Sequence, residues 1–329
     1  MSVPFSNDFS SSFSTNMNKP TYLNYNPYLL VVHSKSPIKK YEKIDINRVS
    51  KKEDNDLRLF SAELNFLNLK YNPTKDKKSI CIYIGSSSGN HIPKLISFYP
   101  ELEYHCYDPI EPSHQLKSFA EKSNFAKVLI FQKFFTEEDI IQYQNIDADI
   151  YVITDFENHN IKSDLEIKKA PNSLELRKEK ESFLSEDMEL QMKWMKLLKP
   201  KEACLKFRLP HYYENVSTVD TFSYFQGIVY RTIFSSLKTS ECRLFVSDFE
   251  STTLWNFKRF DEQMYYYNDV TREKLVVNPI TNSESPFYIY GNTFDQMVFF
   301  WILKDYFITR SHVNVKSAEL ISLYNFIIS

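Results

Sequence analysis

The chain has 329 residues, with 40 Lys+Arg against 42 Asp+Glu and a formal net charge of −2. That balance excludes a surface coated in positive charge for non-specific nucleic-acid binding, though it leaves room for a local basic cleft. An apolar fraction of 43% with 25% charged residues excludes wholesale disorder, and a chain this long buries a sizeable core without staples.

The longest apolar runs, 28–32 and 297–303, fall well short of the roughly 20 residues that a membrane span needs. The first residues, Met1-Ser2-Val3-Pro4-Phe5, carry neither a basic start nor an apolar stretch, so no secretory signal is expected. Cys81, Cys106, Cys204 and Cys242 are widely spaced and sit in apolar strand-like runs. Buried reduced thiols are expected rather than a disulfide framework or a structural metal site. These features together predict a protein of a reducing, cytoplasmic compartment. Glycine is scarce: four residues, where average usage would give about 23. Gly85 and Gly89 share one loop, which marks that loop as a place where the backbone needs them.

In chain order, residues 1–27 read as a mobile Ser/Asn-rich tail. Residues 28–50 mix short apolar stretches with lysines. A helix is predicted over 54–69, where Leu57, Phe60, Leu64 and Leu67 recur at helical spacing; Asn72-Pro73 ends it. Strand and helix then alternate: strands at 80–84, 104–107, 128–131 and 149–154, helices at 92–98, 113–122 and 137–143. Residues 156–184 are charge-rich and read as a solvated insertion. A helix over 186–198 and a strand at 203–207 follow. Further strands are predicted at 228–234 and 243–246, and helices at 257–267, 294–307 and 317–327. The expected architecture is α/β: a single doubly wound, mostly parallel sheet flanked by helices, with a domain over 28–290 and a helical C-terminal extension over 291–329. In such sheets ligands bind beyond the carboxyl ends of the strands.

The residues at those ends are therefore the ones to examine. The first long strand runs into Gly85-Ser86-Ser87-Ser88-Gly89-Asn90-His91 and then a helix. This is a ligand-cradling loop or a tight turn, and it is neither the dinucleotide fingerprint nor a P-loop. Asp108 ends the second strand, placed to accept ribose hydroxyls or to cap the next helix. Phe134 and Phe135 follow the third strand, as walls of an apolar slot or as core. Asp155 ends the fourth. Lys206 interrupts the apolar run 203–207, and Glu241 opens a late strand. Burying an ammonium is costly unless it is paired, so Lys206, Asp155 and Glu241 are expected to cluster, as a site or as a structural ion pair.

At these residues the chain resembles the poxvirus-type cap-specific mRNA (nucleoside-2′-O-)methyltransferases, which also serve as regulatory subunits of a poly(A) polymerase. The resemblance is carried by Ile82-Tyr83-Ile84-Gly85 with Gly89-Asn90-His91-Ile92, Thr154-Asp155, Leu205-Lys206-Phe207-Arg208 and Ser240-Glu241-Cys242-Arg243-Leu244. Leu57-Arg58-Leu59 upstream and Gln263-Met264-Tyr265 with Lys274-Leu275-Val276 downstream extend it over roughly residues 40–280. It implies a Rossmann-like methyltransferase that uses S-adenosylmethionine and acts on capped mRNA, with a poly(A) polymerase catalytic subunit as partner, in the virion or host cytoplasm if the chain is viral. The family's Lys-Asp-Lys-Glu quartet falls on Arg58, Asp155, Lys206 and Glu241, with arginine in the first place. Its cofactor loop falls on Gly85, Ser86, Gly89 and His91, its ribose-binding acid on Asp108 and its adenine slot on Phe135. Asp155 also stands where the family contacts the cofactor's amino-acid end. Its 7-methylguanosine pocket falls on Tyr41, His211, Tyr212 and Asp261, where stacking on a charged base is a cation–π contact. The family's basic tail is absent from 325–329.

Methyl transfer to a ribose 2′-hydroxyl needs an aligned oxygen and a route for its proton, and Lys206 suits either steering or proton acceptance. Arg177, Lys178, Lys180 and Arg208 are candidate phosphate contacts. Two rival readings remain: a non-catalytic RNA-holding regulatory subunit that keeps the fold, and a methyltransferase for another ribose, such as one in ribosomal RNA.

Overall fold

The structure is a computed structural model that describes residues 30–40, 54–123, 127–157, 174–212, 220–272 and 293–311, with isolated helical positions between 320 and 327. The expected tail 1–27, Tyr41 and the side chains of Arg177, Lys178 and Lys180 lie outside the described residues, as does most of the helix expected at 317–327.

In chain order the elements are β1 (Val31–Val32), α1 (Asn55–Lys70), β2 (Lys78–Ile84), α2 (Ile92–Phe98), β3 (Glu103–Tyr107), α3 (His114–Lys122), β4 (Val128–Phe131), α4 (Glu137–Gln144) and β5 (Ala148–Thr154). Then come α5 (Leu174–Leu198), β6 (Glu202–Phe207), β7 (Thr221–Phe225), β8 (Ile228–Arg231), β9 (Cys242–Val246), β10 (Thr252–Asn256), α6 (Phe257–Tyr266) and α7 (Phe294–Tyr306). A π-helical turn follows each of the last two helices.

Eight strands form one sheet in the order β1-β8-β9-β6-β5-β2-β3-β4. Strands β4, β3, β2, β5 and β6 pair in parallel, while β9 is antiparallel to both β6 and β8. The order runs outward from β2 in both directions, so the sheet is doubly wound, mostly parallel and flanked by helices, as the alternation of apolar runs predicts. Continuous apolar runs at 80–84 and 203–205 are buried on both faces, which only a sheet covered on two sides permits.

Side chains at the helix starts explain several boundaries. Asp54 accepts from the Leu57 N–H at 2.9 Å, Ser113 from Leu116 at 3.2 Å and Asn256 from Arg259 at 2.9 Å. Thr136 and Asp139 form a reciprocal capping box on α4. α7 packs on α1, with Phe60 and Phe299 ring centroids 6.0 Å apart and the Asn68 amide donating to the Ile302 carbonyl at 2.8 Å.

Two expectations need correction, and one pair of strands had no expectation. The segment 156–184 is not irregular throughout, because α5 begins at Leu174. Its charged first turns disguise the helix, whose apolar face is legible only from Met188 onward. The antiparallel ribbon β7–β10 has exposed Leu254 and mixed polar residues, so no periodic apolar signal marks it. The strand predicted over 228–234 stops at Arg231, and Phe234 turns away with φ +57°.

Candidate functional site

The carboxyl ends of β2 and β5 lie side by side, and the residues after them meet there. Gly85 follows β2 with φ +80°. A Cβ there would lie 2.6 Å from the Phe156 backbone, so this glycine lets the loop run against the end of β5. The Gly85 and Ser86 N–H groups donate to the Tyr107 carbonyl at 2.9 and 3.3 Å, and Ser87 and Gly89 also have positive φ. The scarcity of glycine is thus answered by the backbone's own crowding.

Asp108 secures this loop. Its carboxylate accepts from Ser87 N–H at 2.7 Å through one oxygen and from Ile110 N–H at 2.8 Å through the other. The helix-capping alternative is overturned, since Ser113 caps α3. A carboxylate oxygen has more than one acceptor site, so Asp108 retains capacity toward a ribose hydroxyl. This acceptor at the end of β3 therefore fits the ribose hydroxyls of a nucleoside cofactor.

Two expected cofactor contacts are placed otherwise. The His91 imidazole is 3% exposed and faces Glu63 at 3.1 Å and the Tyr83 hydroxyl at 3.3 Å, below the loop. Burial opposes its charge, but Glu63 and then Asp56 outweigh that and raise its pKa. Its side chain is taken up in a structural network with Glu63 on the buried face of α1. Phe135 is 4% exposed and meets Tyr107 and Trp194 edge-on at 5.0 and 5.4 Å, so it is a core residue without an open face. Phe134 is the exposed member of the pair.

The charged cluster forms. Antiparallel pairing sets Lys206 opposite Arg243 and Phe207 opposite Cys242, which brings Glu241, just before β9, to the end of β6. The Lys206 ammonium lies 3.6 Å from Asp155 and 3.8 Å from Glu241, and it also pairs with Glu157. Arg58, in the first turn of α1, pairs with Glu241. Sequence reasoning missed two members, Arg243 and Glu157. The Arg243 guanidinium is 1% exposed and joins Asp155 at 2.7 Å to Glu241 at 3.0 Å. Its signal was the same as that of Lys206, a cation interrupting an apolar strand.

The electrostatics follow from this geometry. Burial works against a charged Lys206, but Asp155, Glu241 and Glu157 outweigh it and raise its pKa. Burial likewise opposes ionisation of Glu241, yet Lys206, Arg243 and Arg58 hold its pKa down to about 2. The cluster is a largely buried network of opposite charges, with the ammonium held among carboxylates. Such a group can aim hydrogen bonds at an oxygen without reorganising.

Further along the same edge, His211 Nδ1 lies 2.7 Å from Asp261, whose carboxylate also accepts from Tyr212 N–H at 2.9 Å. The hydrogen bond to Asp261 raises the His211 pKa. Glu181 of α5 accepts from His211 N–H at 3.0 Å and faces Arg208 at 3.5 Å. Lys258 stands over the Tyr212 ring at 5.7 Å. His211, Tyr212 and Asp261 are therefore together, although Asp261 is largely engaged by its neighbours. The Lys39 N–H donates to the Glu262 carbonyl at 3.0 Å, so the strand of chain before Tyr41 runs along α6.

All four cysteines are buried and free. Among the described residues no group of His, Cys, Asp and Glu could hold a metal ion, and no described helix is long and apolar enough to cross a membrane.

Comparison with known proteins adds three findings. No curated protein matches the chain. Among solved structures, the sugar N-methyltransferase KedS8 from Streptoalloteichus sp ATCC 53650 aligns at 12% identity, covering 72% of this chain and 87% of that chain, with a TM-score of 0.23. That overlap is too slight to bear on function. The family model described as poly A polymerase regulatory subunit matches residues 16–329, and with nearly the whole sequence inside that match, the chain belongs to the poly(A) polymerase regulatory subunit family.

Proposed function

We propose that the chain is a cap-specific mRNA 2′-O-methyltransferase, moving a methyl group from S-adenosylmethionine to the ribose 2′-hydroxyl of the first transcribed nucleotide. The observation that carries this reading is the anchored Lys206 ammonium, 3.6 and 3.8 Å from Asp155 and Glu241 at the carboxyl edge of the sheet. The cofactor supplies an electrophilic methyl on a sulfonium, and Gly85, Ser86, Gly89, Asp108 and Asp155 would hold it. Lys206, kept charged by three carboxylates, donates a hydrogen bond to the substrate oxygen and aligns it. This favours steering over proton acceptance, so the hydroxyl proton leaves to water. Arg243 holds Asp155 and Glu241 in place, and with Arg58 it keeps Glu241 ionised. Tyr41, His211, Tyr212 and Asp261 would hold the cap, and Arg208 would meet the RNA backbone.

A second reading has its own support. The family description, and arginine at position 58 where the resemblance expects lysine, favour a non-catalytic subunit that holds RNA for a poly(A) polymerase catalytic subunit. The two roles are compatible in one chain. One experiment separates them: incubation with labelled S-adenosylmethionine and RNAs bearing a cap-0 end, a cap-1 end or no cap. Label on the cap-0 RNA alone is expected. No label on any RNA, from protein that still binds RNA, leaves the regulatory reading.

A further inference from the structure

Three carboxylates face Lys206, and they are not equivalent. Asp155 and Glu241 stand at 3.6 and 3.8 Å, beyond hydrogen-bonding reach, and each is fixed by the buried Arg243. Glu157 alone of the three is within hydrogen-bonding distance of the ammonium. It comes from the chain just after β5, and its side chain is 35% exposed against 14% for the other two. The ammonium is thus gripped by two rigid acids beneath and one accessible acid at its mouth.

We propose that Glu157 is a gate on Lys206 that sets which RNAs are accepted. This rests on the methyl-transfer reading above. A carboxylate oxygen and a ribose hydroxyl oxygen are acceptors for the same N–H donors, and the charged acceptor makes the stronger bond. An ammonium has three donors, and Glu157, the most exposed of the three acids, takes the one on the side open to solvent, from which a 2′-oxygen comes. A hydroxyl displaces it only when contacts elsewhere on the RNA supply the binding energy. Substrates with few remote contacts, short or uncapped, are turned away. The negative charge of Glu157 adds to this by opposing the approach of phosphate.

The test compares wild type with Glu157→Ala, Glu157→Asp and the remote charge control Glu250→Ala, an exposed acid paired with Lys199, each assayed on a short cap-0 RNA and a long cap-0 RNA. Glu157→Ala should raise kcat/KM for the short RNA by about two- to fivefold, the range expected on losing one partly exposed charged contact, and should raise it less for the long RNA. Glu157→Asp keeps the charge but loses one methylene of reach, so it should shift in the same direction as Glu157→Ala by a smaller factor. Glu250→Ala should match wild type. Unchanged discrimination between the RNAs in Glu157→Ala overturns the gate. So does a collapse of transfer as deep as that of a Lys206 variant, which would make Glu157 a proton acceptor. If wild type transfers no methyl group at all, the methyl-transfer reading fails and RNA binding decides the gate. Tighter binding of the short RNA by Glu157→Ala and Glu157→Asp, but not by Glu250→Ala, upholds it, and equal binding by all four proteins overturns it.

Discussion

The two edges of the one sheet carry ion pairs of opposite design. At the amino edge, buried acids are met by lysines reaching in from solvent. Glu103 pairs with Lys78 at 2.7 Å and Lys127 at 2.9 Å, and Asp149 pairs with Lys201 at 2.7 Å. Those lysine side chains are 46%, 60% and 34% exposed, so water screens the pairs. At the carboxyl edge the cations themselves are interior: Lys206 is 8% exposed and Arg243 is 1% exposed. An exposed lysine can leave its partner at little cost, so the amino edge is a set of strand-end fastenings. A buried cation cannot leave, so the carboxyl edge is a preorganised field.

This contrast breaks first at Arg243. Arg243→Met removes the guanidinium that bridges Asp155 and Glu241, leaving them to Lys206 and Arg58, and should cost about 3–5 kcal/mol of stability, read as a drop in the urea midpoint. A loss under about 1 kcal/mol would show that the carboxyl edge is as screened as the amino edge. Lys206→Met keeps the stem and removes the charge. It should lower methyl transfer to cap-0 RNA by at least about 100-fold, with S-adenosylmethionine binding by calorimetry retained. Substantial residual transfer would reduce the cluster to a structural role.

Acid should loosen both edges. Burial opposes ionisation at Glu103 and Asp149, but Lys78 with His105, and Lys201 with Thr74, hold them down to about 2. A carboxyl whose folded pKa lies below its unfolded value stabilises the fold at higher pH. Urea midpoints should therefore hold steady above pH 5 and fall as pH drops from about 4.5 toward 2, as the unfolded chain takes up protons first. A midpoint flat across that window would mean that these pairs contribute nothing. The smallest effect is expected for Lys127→Ala, within about 1 kcal/mol and shrinking in high salt. A larger, salt-insensitive loss would erase the difference between the edges.

Much of this was legible before folding. Lys206 stood out because an ammonium in an apolar strand needs partners, and Glu241 and Asp155 stood out as acids at strand ends. Arg243 carried the same signal and was passed over, since Glu241 beside it drew the reading. Glu157 was hidden in a charge-rich stretch, where one acid among many has no distinguishing pattern. His91 and Phe135 misled for a related reason: their positions after strands were correct, but position along a chain does not say which way a side chain turns. His91 turned inward because Glu63, on another element, could pair with it.

The sequence by itself determined the alternation of strands and helices and hence the doubly wound sheet, because apolar periodicity and capping residues act over a few neighbouring positions. It also pointed to the strand ends where Asp155, Lys206 and Glu241 gather. Only the tertiary structure decided who meets whom: that β9 runs antiparallel to β6, that Arg243 bridges Asp155 and Glu241, and that Glu157 reaches Lys206. Those pairings join residues far apart in the chain, and their register is set by packing across strands, which no local pattern encodes.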